Sequence, residues 1–189
     1  MPLGIEKLIV FGGNGFMGQA IMRAGLRKGL ECISVSRRGE PEDMMHELEK
    51  EPNFKNASWS KGDVMELLRK ERSGDDVTKN EEWMKHFNGD SPVAVVSCIG
   101  MFSTSNDTMK EVNGDGNAAL VRYAKSHGAR RFAYISAYEV ENELPFKLLP
   151  GYFEGKRIAE QAVKDEYPTS DGIILQPGMV YGTRKQNGT

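Results

Sequence analysis

The sequence predicts an α/β fold, a doubly wound parallel sheet of about six strands with helices on both faces. Three observations predict it. Six short apolar runs are spread along the chain, they are continuous rather than alternating, and amphipathic helical stretches lie between most of them. A strand with one wet face alternates apolar and polar residues, whereas a strand covered on both faces is apolar throughout. Such strands alternating with helices give βαβ units joined by right-handed crossovers.

Taken in order, "KLIVFG" (7 to 12) is the first strand, and a helix over 15 to 28 follows with Met17, Ala20, Ile21 and Ala24 on one stripe. "ECISVS" (31 to 36) is the second strand and the short "ASW" (57 to 59) the third. The segment 37 to 56 between them is irregular, and 64 to 90 reads as one or two amphipathic helices around the loop "SGDD". "VAVVSCI" (93 to 99) is the fourth strand, before a helix over about 106 to 126 that aligns Met109, Val112, Ala119 and Leu120. "RFAYIS" (131 to 136), a helix over 152 to 166 and "GIILQP" (172 to 177) complete the pattern. Gly29 and Gly128 stand where helix C-terminal caps belong.

With 189 residues, 39% apolar and 28% charged, the chain (1 to 189) is expected to form one domain. A net charge of −2 and a pI near 6.0 give no general attraction to nucleic acid or an anionic membrane, so the expected partner is a small-molecule substrate. No apolar run approaches the roughly 18 residues that cross a bilayer. "MPLGIEK" has neither a signal-peptide apolar region nor an Arg-rich transit segment, so a soluble chain with no visible targeting segment is expected. Cys32 and Cys98 lie inside apolar runs, as free core thiols of a reducing compartment do. His46, His86 and His127 fall on predicted surface helices without metal-ligand spacing and read as solvated; Trp59 and Trp83 read as packing residues.

The first strand-to-helix turn carries the chemistry. "FGGNGFMGQ" places Gly12, Gly15 and Gly18 at G-x-x-G-x-x-G spacing. Gly12 allows the tight turn, Gly15 lets a pyrophosphate approach the backbone, and Gly18 lets the helix pack on the strand, so the pyrophosphate meets the helix N-terminal amides. This predicts a Rossmann-type dinucleotide-binding domain. The second strand ends in "VSRRG", where Ser36, Arg37 and Arg38 stand in place of the carboxylate that binds ribose hydroxyls. Two guanidiniums suit a 2′-phosphate, which favours NADP(H) as cofactor with NAD(H) the alternative.

On these residues the chain resembles the extended and atypical short-chain dehydrogenase/reductases, the superfamily that includes NAD-dependent epimerase/dehydratases. "GGNGFMG", with Phe16 and Met17, is similar to its cofactor loop, and "KGDV" puts Asp63 and Val64 at its adenine contact. "SCIG", with Cys98, Ile99 and Gly100, matches the segment beside the nicotinamide ribose, "EVNGDGN" carries the matching Asn113, and "QPGMVYG", with Pro177 and Val180, resembles its R-P-x-x-x-Y-G stretch. Within the superfamily, "FGGNGFMG", "SCIG", "YISA" and "GYFEGKR" most resemble the atypical group that includes a mitochondrial coenzyme Q biosynthesis oxidoreductase, plastid relatives and the NAD(P)-binding accessory subunit of respiratory complex I. The resemblance implies a mitochondrial or plastid setting.

It also separates two Tyr-x-x-x-Lys pairs. The superfamily's active pair opens the helix between the fifth and sixth strands, where Tyr152 and Lys156 lie, whereas Tyr181 and Lys185 follow the sixth strand and read as coincidence. Residues four apart share a helix face, so an ammonium at Lys156 can lower the pKa of the Tyr152 phenol and ready it for proton transfer. Gly155 costs a helix about 1 kcal/mol relative to Ala and fits where something approaches the backbone closely. Ser136 is the candidate third catalytic residue, but in "YISAYEV" a shift of one or two residues would remove the hydroxyl. Gln176 replaces the Arg that often precedes the Pro, which weakens nucleotide-sugar recognition.

The sequence thus leads to an NADP(H)-dependent oxidoreductase acting on a carbonyl or alcohol, with a quinone-like or isoprenoid-linked substrate implied by resemblance. A non-catalytic NADP(H)-binding scaffold, in a protein complex or homo-oligomer, and a sugar-nucleotide epimerase are the alternatives. The chain is expected to lack the substrate-binding segment that the superfamily supplies after the sixth strand.

Overall fold

A computed structural model describes residues 4–41, 48–75, 82–89, 91–138 and 147–182. Six strands form one sheet: β1 (Lys7–Phe11), β2 (Glu31–Ser36), β3 (Ala57–Lys61), β4 (Val93–Ser97), β5 (Arg131–Ile135) and β6 (Gly172–Leu175). Their order is β3-β2-β1-β4-β5-β6, every pairing is parallel, and β1 is the topological switch point. Central strands are almost wholly buried, with Ile9, Val10, Ile33 and Val95 fully enclosed. The edge strands β3 and β6 are not; on β6 Ile173 and Leu175 face outward, so the two-faced burial expected of every apolar run holds only in the middle of the sheet.

Helix α1 (Phe16–Arg27) covers one face, where Met22 and Leu26 pack on Leu8, Val10, Cys32 and Val96. The other face is covered by α2 (Val64–Ser73), α4 (Gly116–Ser126) and α5 (Pro150–Glu166), around a core that includes Leu67, Leu120, Val163 and the fully buried Trp83. Trp83 meets Phe11, Phe87 and Tyr123 edge-on, with ring centroids 5.0 to 5.9 Å apart. Gly29 and Gly128 take left-handed conformations (φ 77° and 78°) just past their helices, as the sequence predicts.

The helix expected over 106 to 126 begins as α3 (Asn106–Lys110) and reaches α4 through one π-helical turn, Glu111–Asp115. The second segment expected as helix within 64 to 90 is a 3₁₀ turn, Glu82–Phe87. Two of the three histidines depart from the solvated reading. His86 is half-buried against Ser60 Oγ at 2.8 Å and burial lowers its pKa, while His127 stacks on Tyr123 at 3.9 Å. His46 lies outside the described residues. Cys32 and Cys98 are free, and burial pushes both thiols up to about 12, which keeps them protonated. Among the described residues no helix is long and apolar enough to cross a membrane.

Candidate functional site

The site opens at the C-terminal ends of β1 and β4, the neighbours across which strand order reverses. Gly12 adopts φ 78°, and a Cβ there would lie 3.2 Å from the Cys98 carbonyl oxygen, so the loops after β1 and β4 touch. A Cβ at Gly18 would collide with the Gly12 carbonyl oxygen and Gly13 Cα, so the close approach expected of Gly18 to the strand is to the turn that follows it. Beyond the Gly12 oxygen at 3.1 Å, a Cβ at Gly15 would meet nothing within 4 Å, which leaves that side of the turn open. Helix α1 starts at Phe16 with no acidic residue in its first turn and no side-chain hydrogen bond at its cap. Bare amides at a positive helix end, with Cβ-free glycines around them, fit a pyrophosphate.

Two residues that spacing does not single out hold this loop. Gly13 lies so close to β2 that a Cβ would collide with Ser34 Oγ. The Asn14 side chain, buried in the turn, accepts from Ser34 Oγ at 2.8 Å and donates to Ser36 Oγ at 2.9 Å and to the Gly39 carbonyl at 2.6 Å. The phosphate loop and the turn after β2 are therefore one hydrogen-bonded unit. Arg37 and Arg38 project from that turn, exposed. Asp63 caps α2 by accepting from the Met65 N–H at 3.0 Å, and the Val64 side chain is buried in the core. Of the expected adenine contact, the Val64 side chain is thus unavailable, while Asp63 is half-buried.

At the opposite end, α5 crosses the π turn with almost no gap. A Cβ at Gly155 would lie 3.0 Å from Asn113 Cβ, the Gly114 nitrogen and the Lys110 carbonyl oxygen; one at Gly151 would collide with the Asn106 backbone. Gly151 and Gly155, four apart, let two helices meet backbone to backbone. The sequence flags Gly155 for such an approach, and the approaching element is the π turn. Asn113 sits in that turn and pairs both ways with Met101, accepting its N–H at 3.0 Å and donating to its carbonyl at 2.9 Å. That bond pair holds the segment after Gly100. π turns interrupt helices preferentially at functional sites.

Lys156 is 3% exposed. Its Nζ donates to the Ile135 carbonyl at 2.8 Å and sits 4.7 Å from the centre of the Tyr134 ring and 5.6 Å from that of Tyr152. A Cβ at Gly100 would lie 3.5 Å from it. Burial lowers its pKa to about 8, against the nearby Cys98 and Glu160, which raise it. Tyr152 is half-buried, its ring stacked on the exposed Phe102 at 4.5 Å. The Tyr134 hydroxyl donates to the Asn113 carbonyl at 3.0 Å, and burial raises its pKa well above the usual phenol value.

Ser136 is 4% exposed, and its hydroxyl donates to Glu160 Oε1 at 2.5 Å. Gln176 donates to the same oxygen at 2.9 Å. The buried Glu160, one turn beyond Lys156, thus gathers the Ser136 and Gln176 side chains, and sequence reasoning missed it. After β6 the chain runs through Pro177, whose carbonyl accepts the Tyr138 N–H at 3.0 Å, and the exposed Val180 to Gly182 beside the Phe16 ring. The described tail therefore reaches from the far edge of the sheet to the start of α1. Tyr181 is 88% exposed and Lys185 lies outside the described residues.

A family model described as the NAD dependent epimerase/dehydratase family matches residues 8–189. The chain belongs to that family. Among relatives, it is 39% identical over 188 residues to an uncharacterized chloroplastic protein of Arabidopsis thaliana, covering 97% of this chain and 53% of that one. It is 25% identical over 209 residues to MIOREX complex component 2 of Saccharomyces cerevisiae, covering 94% and 73%. Among solved structures, WbmH of Bordetella bronchiseptica in complex with NAD+ superposes with a TM-score of 0.65 at 17% identity, covering 97% of this chain and 59% of that one. WbmG of the same organism, in complex with NAD, gives 0.64 at 15%, covering 93% and 54%. This epimerase/dehydratase-family chain, with its NAD(P)-binding fold, spans about half the length of the plant relative and of these two structures.

Proposed function

We propose that the chain binds NADP(H) along the C-terminal edge of the sheet and exchanges a hydride with a carbonyl or alcohol substrate. The observation that carries this is the buried Lys156 between the Tyr134 and Tyr152 rings, beside Gly100 on the loop after β4 that also touches Gly12. The cofactor, when bound, supplies the hydride. Gly15 and the first turn of α1 hold its pyrophosphate, Arg37 and Arg38 its 2′-phosphate, and Lys156 the ribose next to the reacting ring. Tyr152 exchanges the proton with the substrate oxygen, and the Lys156 ammonium steadies the phenolate this leaves. The Ser136 hydroxyl donates its hydrogen bond to Glu160, so the proposed chemistry rests on Tyr152 and Lys156 without a third hydroxyl. An organelle setting is supported by the chloroplastic relative. Quinone-like or isoprenoid-linked carbonyls are the substrates to try first.

The engaged Ser136 hydroxyl also favours a second reading, a scaffold in which bound NADP(H) stabilises the fold or an assembly without turnover. One experiment separates the two. NADPH oxidation is followed against a panel of quinones, aldehydes and ketones with the unaltered protein and with Tyr152→Phe. The enzyme reading expects oxidation that Tyr152→Phe lowers at least a hundredfold while NADPH affinity changes by less than about twofold. Tight stoichiometric NADPH binding with no oxidation by any substrate establishes the scaffold; undiminished turnover in Tyr152→Phe removes Tyr152 from the mechanism.

A further inference from the structure

We propose that Lys61 is the third cation of the 2′-phosphate subsite, which is thus built from the ends of two strands, β2 and β3. The inference rests on the NADP(H) reading above and adds a residue that lies 23 positions beyond the two arginines. Lys61 closes β3 directly opposite Ser36 in the parallel register, so its backbone starts beside the residue that precedes Arg37. Its side chain is exposed, yet its stem has a defined course. A Cβ built on Gly39 would lie 2.9 Å from Lys61 Cγ, 3.5 Å from Cε and 3.8 Å from Cδ, so the methylenes run along the Gly39 backbone toward the turn that carries the arginines.

That turn is rigid for its size. Gly39 holds φ 74°, its N–H donates to Ser36 Oγ at 3.1 Å, and its carbonyl accepts from Asn14 Nδ2 at 2.6 Å. A side chain at Gly39 would be strained and would push the Lys61 stem away. The absent Cβ therefore serves the lysine as well as the turn. Among the described residues, Arg37, Arg38 and Lys61 have no carboxylate within ion-pair distance, and the nearby Asp63 carboxylate caps α2. Two guanidiniums on this turn and an ammonium whose stem runs along Gly39 leave positive charge on this side of the sheet that an anion would compensate. A phosphomonoester, with a charge of about −1.5 to −2 at neutral pH, is matched by planar guanidinium forks and one ammonium point charge. A bare 2′-hydroxyl leaves most of that positive charge uncompensated.

Calorimetric titration with NADPH and NADH tests the assignment, using the unaltered protein, Lys61→Ala, Lys61→Arg and Arg38→Ala, with thermal midpoints to check folding. Lys61→Ala is expected to weaken NADPH binding roughly tenfold, the scale of one charge-assisted hydrogen bond, and to leave NADH binding within about twofold. Lys61→Arg retains the preference, and added salt erodes it. If Lys61→Ala leaves NADPH affinity intact while Arg38→Ala lowers it, Lys61 is outside the subsite although the NADP(H) reading stands. Equal loss for both nucleotides also overturns the assignment, since the lysine then touches something other than the phosphate. If the unaltered protein binds NADPH no tighter than NADH, the NADP(H) reading fails first and the subsite goes with it.

Discussion

Replacing Gly155 by Ala sets two opposing effects against each other, and the structure decides which wins. In an open helix interior the change stabilises by about 1 kcal/mol, because Ala gives up less backbone entropy than Gly. Here the new methyl would lie 3.0 Å from Asn113 Cβ, the Gly114 nitrogen and the Lys110 carbonyl oxygen. Contacts this short are tighter than a methyl group tolerates, so α5 and the π turn must part by a few tenths of an ångström. The obstacles include backbone, which cannot rotate aside as a long side chain would. Overpacking of this kind costs about 1 to 3 kcal/mol before the helix gain is subtracted, and more where backbone must move. A net loss near 1.5 kcal/mol lowers the thermal midpoint of a domain this size by about 3 to 6 °C. Because Lys156 rides on α5, one residue past the substituted position, NADPH affinity should fall as well. Scanning calorimetry and a fluorescence titration read the two effects. A midpoint that rises by 2 °C or more would show that the helices have room, and the account of how Tyr152 and Lys156 are aimed would be wrong.

Three further changes follow from the same geometry. Asn14→Ala strips partners from Ser34, Ser36 and Gly39; thermal denaturation should show about 2 kcal/mol lost, the scale of buried unsatisfied groups, with weaker NADPH binding. Ser136→Ala should lower the melting temperature by depriving Glu160 of a donor while sparing most hydride transfer; activity abolished in a fully stable variant would restore Ser136 to the catalytic set. Lys156, lowered by burial to about 8 from 10.5, releases its proton earlier in the folded than in the unfolded chain. The unfolded state then binds more protons between those values, so stability rises with pH there, by up to about 1.4 kcal/mol per unit. Cys32 and Cys98, raised by burial from 9.0 to about 12, act in the opposite sense from about pH 8 upward, so the lysine's share is read as a difference: denaturant midpoints from pH 7 to 9 should climb more, or fall less, in the unaltered protein than in Lys156→Met.

Much of the fold is legible because each strand is a continuous apolar run and each helix an amphipathic stretch, so that period and order alone give the sheet. Gly12 and Gly18 declare themselves by spacing. Gly13 and Asn14 do not, since their tasks are set by Ser34 and Gly39 on another strand and its turn, 20 to 25 residues away. The π turn is equally hidden: the apolar stripe around Asn113 reads as ordinary helix, and the extra residue per turn shows only once α5 lies against it. The half-buried setting of His86 is hidden for a related reason, because its neighbour Ser60 belongs to an edge strand of which only three residues show a strand pattern. Ser136 and Gln176 looked like departures from a family pattern, and their meaning comes from Glu160, which sits one helical turn past Lys156 and is invisible to motif spacing.

The glycines of "GYFEGK" explain why this Tyr-x-x-x-Lys pair and not the one at Tyr181 can form a site. Gly151 and Gly155 occupy one stripe of α5, and their contact with Asn106, Lys110 and Gly114 fixes the rotation of the helix about its own axis. Tyr152 and Lys156 stand one position further along, on the adjoining stripe, so a fixed rotation aims both at the ends of β4 and β5. That is where Lys156 reaches the Ile135 carbonyl and where Gly100 is held through Met101 and Asn113. The exposed Tyr181 follows β6 without such an anchor among the described residues. A four-residue spacing supplies a shared helix face, but the glycine stripe decides what that face is turned toward. The pair and its two glycines are therefore one device, and any substitution that adds bulk to the glycines is expected to disable Tyr152 and Lys156 without touching either.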